Sequence, residues 1–308
     1  FEIINSTSRH LTYSIFMKVS NFTKGIISSS AGSFFWGFLG TIYFQYITFI
    51  GVFEVVVHRS IWTCVILLIT TSLFKKWNTF KKVFIDKIKI FYLIITSFLI
   101  FGNWTVWIYA VSTNKIIDAS FGYFIFPIIS VFFGFIFFNE KLNKKRISSI
   151  VLVLISTVYL FYSFSFLPWV GICVALLWSF YNLIRKKINV ETDIGLLIES
   201  LFIMPLVIVI LYYIVKTNSN DFILTNLNLV GLIFLAGPMT VIPLFLYVKG
   251  VELSGLGASG MVFFITPTAQ FLLGFFYFNE PFSYEKLIGF ILIWIAVFIY
   301  LRDLYEKS

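Results

Sequence analysis

The sequence predicts an all-α polytopic membrane protein, with ten transmembrane helices arranged as two inverted five-helix repeats. Three observations point there. Of 308 residues, 59% are hydrophobic and 12% are charged, and the mean hydropathy is +0.96. A soluble domain carries about 25% charged residues, so this chain lacks the polar surface to cover a globule. Its apolar residues come in blocks of about 20, the length that spans a bilayer. Finally, GFIFFNE at 134–140 returns as GFFYFNE at 274–280.

The helices are expected where apolar runs are bounded by polar clusters. Residues 1–23 mix polar and apolar types and carry Arg9 and Lys18. They are read as a cytoplasmic N-terminal segment, and without an A-x-A-like cleavage site no secretory signal peptide is expected. Helix 1 spans 25–44, after Lys24, and helix 2 spans 54–74, before Lys75 and Lys76. Helix 3, 90–110, follows a lysine-rich stretch that ends at Lys89. Helix 4, 118–138, opens on Asp118, a good N-cap, and closes at Asn139 and Glu140. Helix 5, 147–163, follows Lys144, Lys145 and Arg146, and helix 6, 168–184, runs into Arg185, Lys186 and Lys187. Helix 7 covers 195–215, helix 8 covers 227–247, helix 9 covers 258–278 and helix 10 covers 285–301.

Lys and Arg then set the orientation, because cytoplasmic loops carry the excess. With the N-terminus in the cytoplasm, 19 of the 23 basic residues fall on that side. Only Arg59, Lys115, Lys216 and Lys286 fall on the other. Both termini are therefore expected in the cytoplasm. The net charge of +9 is a property of loops, so nucleic acid is not an expected partner. The 40 phenylalanines are read as compositional drift, not as a sign of an aromatic substrate. Cys64 and Cys173 fall in apolar blocks, where small core residues are expected rather than a disulfide.

A shift of 140 residues aligns Pro127 with Pro267, Gly134 with Gly274, and Asn139-Glu140 with Asn279-Glu280. Over 127–140 and 267–280, six of fourteen positions are identical. Trp36 finds a loose counterpart in Trp178. The repeats are thus 24–163 and 168–303. Five helices is an odd number, so the two halves enter the membrane in opposite directions. In transporters built this way, the substrate site lies near the midplane between repeats and access alternates. Prolines at matched positions suggest kinks that let helices bend or line a cavity. Glu140 and Glu280 are expected to accept the unpaired N–H groups of the following helix, 5 or 10. Inversion would put Glu140 at the cytoplasmic surface and Glu280 at the external one.

Several strings carry a resemblance: HRSIW at 58–62, FGNWTVWIYAV at 101–111, DASFGYFIFP at 118–127, YNLIRKK at 181–187 and GLLIESLFIMP at 195–205. With the 5+5 arrangement, they resemble the EamA-type members of the drug/metabolite transporter superfamily, and its RarD branch in particular. The resemblance runs from about 24 to 303 and is weaker in the second half. It implies a multi-pass permease of the bacterial inner membrane, with a cavity formed largely by helices 3, 4, 8 and 9. Related members export amino acids and other metabolites.

A charge at a helix centre costs roughly 2.5–3.5 kcal/mol on insertion scales, which makes such residues functional candidates. Glu54 and His58 share a face at the start of helix 2, beside Arg59. They read either as a structural cluster or as a substrate or proton gate. Glu199, near the start of helix 7, reads as an anchor or a proton site. Asn103, Trp107, Ala110 and Asn114 follow one face of helix 3, where an amide and an indole suit a cavity wall. The competing reading has Asn103 bonding to a neighbouring helix. Trp104, Tyr123 and Gln270 join the cavity candidates.

Other chemistry is not expected. GLGASG at 255–260 matches the dinucleotide fingerprint, which works only between a strand and a helix; here it is read as a small-residue turn between membrane helices. No Walker A, HExxH or Cys/His metal spacing is present, so no metal, no cofactor and no enzymatic activity are expected. The expected function is a secondary permease for a small metabolite or drug-like molecule, amino-acid-like solutes included. Export is favoured by the resemblance. The rival is a membrane-embedded structural or sensory protein without transport. The expected partners are the lipid bilayer, the solute and a candidate second copy of the chain.

Overall fold

The computed structural model describes residues 20–113, 116–162, 169–222, 226–277 and 284–306, without the side chains of 116–121, 274–275 and 285–286. Among the described residues there is no strand. In lipid no water is available to the backbone, so each N–H must find its acceptor within its own helix. Helices cover every predicted interval, but three intervals are broken. The first is α1 (Asn21–Phe35), a π-helical turn (Trp36–Gly40) and α2 (Thr41–Tyr46). Then follow α3 (Val52–Leu73), α4 (Trp77–Ile85), α5 (Lys87–Ser112), α6 (Ile116–Phe138) and α7 (Lys144–Tyr162). The second half holds α8 (Trp169–Ile188) and α9 (Thr192–Lys216). The eighth interval is α10 (Leu227–Phe234) with α11 (Ala236–Ser254), and the ninth is α12 (Leu256–Val262) with α13 (Ile265–Phe276). The last element is α14 (Tyr284–Tyr305).

Two of the breaks have a common cause. Pro238 and Pro267 each lack the N–H that would bond the carbonyl four residues earlier, at Phe234 and Phe263, so the helix restarts there. By sequence Pro127, Pro205 and Pro243 are also read as interruptions, yet α6, α9 and α11 run through them. Helix α4 occupies a stretch expected to be a loop. It is amphipathic, burying Val83 while Lys81 and Lys82 stay exposed, and it packs on α5 and α9.

Among the described residues, seven helical stretches are long and apolar enough to cross a membrane: Val52–Leu73, Lys87–Ser112, Lys144–Tyr162, Thr192–Lys216, Leu227–Ser254, Leu256–Leu273 and Leu287–Tyr305. Their outer faces expose large apolar side chains such as Leu73, Ile208, Val209 and Phe298. A surface of that kind needs lipid, and the chain is a polytopic membrane protein.

Small residues let the helices approach. A Cβ at Gly122 of α6 would collide with the Gly171 carbonyl of α8, so only glycine permits that contact. Helix α1 runs antiparallel to α11, with Gly25 beside Ser254 and Gly32 beside Tyr247. Helix α5 runs antiparallel to α8, with Asn103 at Val174 and Tyr109 at Trp169. Helices α6 and α12 are antiparallel too, with Ser130 donating to the Leu256 carbonyl at 2.8 Å and Tyr123 beside Phe263. So are α7 and α14, where Arg146 meets Asp303 at 2.8 Å and Leu160 meets Gly289. Lys76, just after α3, reaches Asp193 in the first turn of α9 at 2.6 Å, while Val57 near the start of α3 packs with Val207 and Ile214.

Three arginines assigned to loops or helix ends are buried instead. Arg59, Arg146 and Arg185 are 2%, 9% and 2% exposed. Arg146 is held by Asp303, Arg185 by Glu199, and Arg59 by aromatic rings. A guanidinium keeps its charge when buried and stacks on rings, so a burial that would neutralise lysine leaves it a cation. Cys64 and Cys173 are both free, as expected.

Candidate functional site

A cavity of ≈ 60 Å³ lies where α1, α3, α5, α6, α8 and α11 converge, closed by Phe263 beyond α12. A single water needs roughly 10–15 Å³ of such space, so there is room for several waters or a small solute. Gly32, Ser33 and Trp36 come from the first helix and its π turn, Arg59 from α3, Asn103 and Trp104 from α5, and Tyr123 from α6. The second half contributes Trp178 from α8 and Thr240, Pro243, Leu244 and Tyr247 from α11. The π turn begins at Trp36, and such turns widen the helix locally and recur at functional sites.

The arginine dominates this wall. Its guanidinium carbon lies 4.6 Å from the Trp104 ring centroid, 4.8 Å from Phe44 and 5.1 Å from Trp36. Each such contact is worth about 0.5–2 kcal/mol, whereas taking a cation out of water costs several kcal/mol. The rings therefore offset much of the penalty but accept no hydrogen bond in the plane of the guanidinium. Nε and Nη1 are buried without an acceptor, and no carboxylate pairs with Arg59 among the described residues. Ser33 Oγ and Trp178 Nε1 are also buried without partners. Residues of the cavity wall from both parts of the chain thus carry buried polar atoms without a partner in the protein.

The sequence-derived cavity candidates separate. Asn103, Trp104 and Tyr123 line the cavity. Asn103 donates to the Val174 carbonyl of α8 at 3.1 Å, the bond to a neighbouring helix that its competing reading describes. Tyr123 accepts from Trp36 Nε1 at 3.2 Å. Trp107 stands behind the wall, its ring 4.9 Å from Trp36 and 5.4 Å from Phe44. Gln270 lies outside the lining, donating to Thr41 Oγ1 at 3.1 Å. Asn114 and the Asp118 side chain fall outside the described residues, as do Glu280 and the surroundings of Gly274. Ser33, Trp178, Tyr247 and Phe263 were not singled out as cavity residues. The only signal was the loose match of Trp178 to Trp36.

Glu54, His58 and Arg59 do not form one cluster. Glu54 is buried, and its two oxygens accept from the backbone N–H groups of Asp221 at 2.7 Å and Phe222 at 3.0 Å. Asp221 returns the contact by accepting from the Gly51 N–H at 2.8 Å. His58 shares the face of Glu54, with Nε2 3.9 Å from its carboxylate and the ring 4.6 Å from Phe222. These two tie α3 to the segment after α9, and Arg59 turns the other way, into the cavity.

Glu199 is saturated. Thr96 donates to it at 2.7 Å, Tyr181 at 3.2 Å, and Arg185 Nε lies 3.5 Å away as an ion pair without hydrogen-bond geometry. A second void of ≈ 10 Å³ touches this group and shares Trp104 and Leu244 with the main cavity.

Glu140 caps a different helix from the one expected. It accepts from the N–H groups of Leu256 at 2.8 Å and Gly257 at 2.9 Å, the start of α12. The following helix, α7, is capped instead by Asn143, which accepts from Arg146 N at 2.9 Å. The reason is the fold's cross-packing: the N-terminus nearest the end of α6 is that of its antiparallel neighbour. Gly255, at φ +91°, lets the chain turn into α12. Burial pushes the Glu140 carboxyl above the usual carboxylate range, against the opposing pull of the two N–H bonds and of Lys186 and Arg146. Among GLGASG residues, the helix N-terminus therefore receives a protein carboxylate, as a close-packed turn between membrane helices. Gly134 lies against the same carboxylate, and Pro127 keeps its carbonyl near Gly260.

A bundle of apolar helices around a mainly apolar cavity with a few polar groups is an arrangement that membrane transporters use, and the relatives of this chain place it in that class. The chain belongs to the EamA-like transporter family, whose profile matches residues 23–162, and within the drug/metabolite transporter superfamily to the RarD branch. It is 30% identical over 280 residues to "Protein RarD" of Escherichia coli strain K12, covering 91% of this chain and 94% of that one. A Vibrio cholerae protein described as an uncharacterized transporter is 31% identical, covering 91% and 92%. Transporter YojE of Bacillus subtilis is 29% identical, covering 90% and 93%. A protein of known crystal structure shares the fold, with a TM-score of 0.65 at 14% identity over 90% of this chain and 96% of that one.

Proposed function

We propose that the chain is a secondary permease in which two five-helix halves, 24–163 and 168–303, insert in opposite directions and alternate access to the central cavity. The solute is a small metabolite or drug-like molecule, moved outward across a bacterial inner membrane, with both termini in the cytoplasm. The single observation that carries this reading is a cavity walled by both halves and left with unused hydrogen-bonding groups.

The packing directions support the inverted arrangement. Shifted by five helices, each partner pair that touches runs antiparallel: α3 with α9, α6 with α12, and α7 with α14. The pairing of α1 with α11 also has its mate in that of α8 with α5. Helices that cross between halves in this way can rock as two bodies about a central site. The 23–162 span of the family match coincides with the first half.

Uptake into proteoliposomes, run across a metabolite panel with and without a pH gradient, tests the proposal. Saturable flux through the reconstituted chain is expected. Absence of flux for every solute under both conditions would favour the structural or sensory alternative.

A further inference from the structure

We infer that the cavity binds a monoanionic organic solute, a carboxylate with a flat apolar body, with Arg59 as the site of its charged end. This rests on the transport reading for its role, although the binding site is testable alone. Arg59 is 2% exposed, lines the cavity, and stays charged at any pH the protein meets. Its guanidinium carbon lies over the rings of Trp104, Phe44 and Trp36, and among the described residues no carboxylate answers its charge. Its Nε and Nη1 have no acceptor within the protein.

The rest of the wall narrows the chemistry. Trp178 Nε1 and Ser33 Oγ also lack partners, so the cavity asks for a ligand rich in acceptors. Among the described residues no second Lys or Arg and no Asp or Glu lines it, which leaves one net positive charge to balance. A carboxylate balances it with one charge and offers oxygens that suit a guanidinium. A phosphate monoester would bring close to two negative charges and leave one buried and unpaired. Indole and phenol rings make up much of the remaining surface, which favours a planar apolar body.

The full-length chain in nanodiscs, titrated with benzoate, benzamide, benzylamine and phenyl phosphate and followed by tryptophan fluorescence, tests this. Trp36, Trp104 and Trp178 line the cavity and report occupancy. Benzoate should quench saturably with a Kd at least tenfold below that of benzamide, and phenyl phosphate and benzylamine should bind more weakly than benzoate. Arg59→Gln should bring benzoate to the benzamide level, and Arg59→Lys should keep part of the preference. Equal affinity for benzoate and benzamide, tighter binding of phenyl phosphate, or no saturable quench by any probe would each overturn the assignment. So would an unchanged benzoate preference in Arg59→Gln. Should that variant fail to fold, the wild-type comparison of acid with amide decides. Benzoate binding without any proteoliposome flux keeps this site and removes transport; flux of neutral solutes without benzoate preference does the reverse.

Discussion

Arg59 and Glu199 stand 140 residues apart, at matching positions along α3 and α9, and their surroundings differ in charge. Glu199 has Thr96 and Tyr181 as hydrogen-bond donors and Arg185 as a counter-charge. Arg59 has aromatic rings around it and two nitrogens without acceptors. Both charges were legible in the sequence as costly residues in apolar helices. Their separation into an ion pair and a cation without a carboxylate partner was not, because it depends on Phe44, Trp104 and Arg185, which only packing brings near. Arg185 in particular was hidden in the basic string LIRKK, where it reads as a loop charge.

Glu140 supplies a residue-scale prediction. Removing its carboxylate leaves the N–H groups of Leu256 and Gly257 without acceptors, and each unpaired group costs about 1–3 kcal/mol. Glu140→Ala should therefore lower the melting temperature of the detergent-purified protein, and Glu140→Gln, which keeps one carbonyl oxygen, should lower it less. An Ala variant as stable as the wild type would mean that the cap is idle.

Among the elements, the long apolar helices were the easiest to read, since lipid demands a continuous apolar run and an internally bonded backbone. The breaks at Leu235 and at Phe263–Phe264 follow from Pro238 and Pro267. The sequence cannot tell such prolines from Pro127 and Pro205, which the surrounding packing accommodates without a break. Helix α4 was missed because its lysines mark a loop more strongly than its short apolar face marks a helix.

One staple between elements makes a pH prediction. Lys76 bridges the end of α3 to α9 through Asp193 at 2.6 Å and Glu191 at 3.0 Å. Burial alone would lower the Lys76 pKa, but the hydrogen bonds it donates to Asp193 and Glu191 outweigh it and raise the value above the ordinary one. A raised lysine stabilises the fold fully below its unfolded pKa, near 10.4, and that contribution is lost as pH rises through the higher folded value. The difference in melting temperature between wild type and Lys76→Met should be constant from neutral pH to about pH 10 and shrink beyond it. The lysine is a third exposed, so solvent screening keeps the difference small. A gap that widens at alkaline pH would contradict the sign.

At the scale of the whole molecule, the cavity is lined from both parts of the chain, by Trp36 and Arg59 from the first and Trp178 and Tyr247 from the second, as the proposed inverted halves would require. The repeat itself was visible in the sequence through Pro127, Gly134 and Glu140 and their partners Pro267, Gly274 and Glu280. The cavity wall was only partly visible: Asn103, Trp104 and Tyr123, which line it, were singled out, whereas Trp178, Tyr247 and Phe263 come from the divergent half.

Inversion is the claim on which the shared cavity and alternating access both depend. It is tested most directly by impermeant maleimide labelling of single cysteines at Lys141 and Tyr284, both exposed just beyond the two helix ends that carry the repeat. The background would lack Cys64 and Cys173, the two native thiols. In intact cells the reagent should label the cysteine at 284 and reach the one at 141 only after the membrane is opened. Labelling of both positions from the same side would contradict two antiparallel halves.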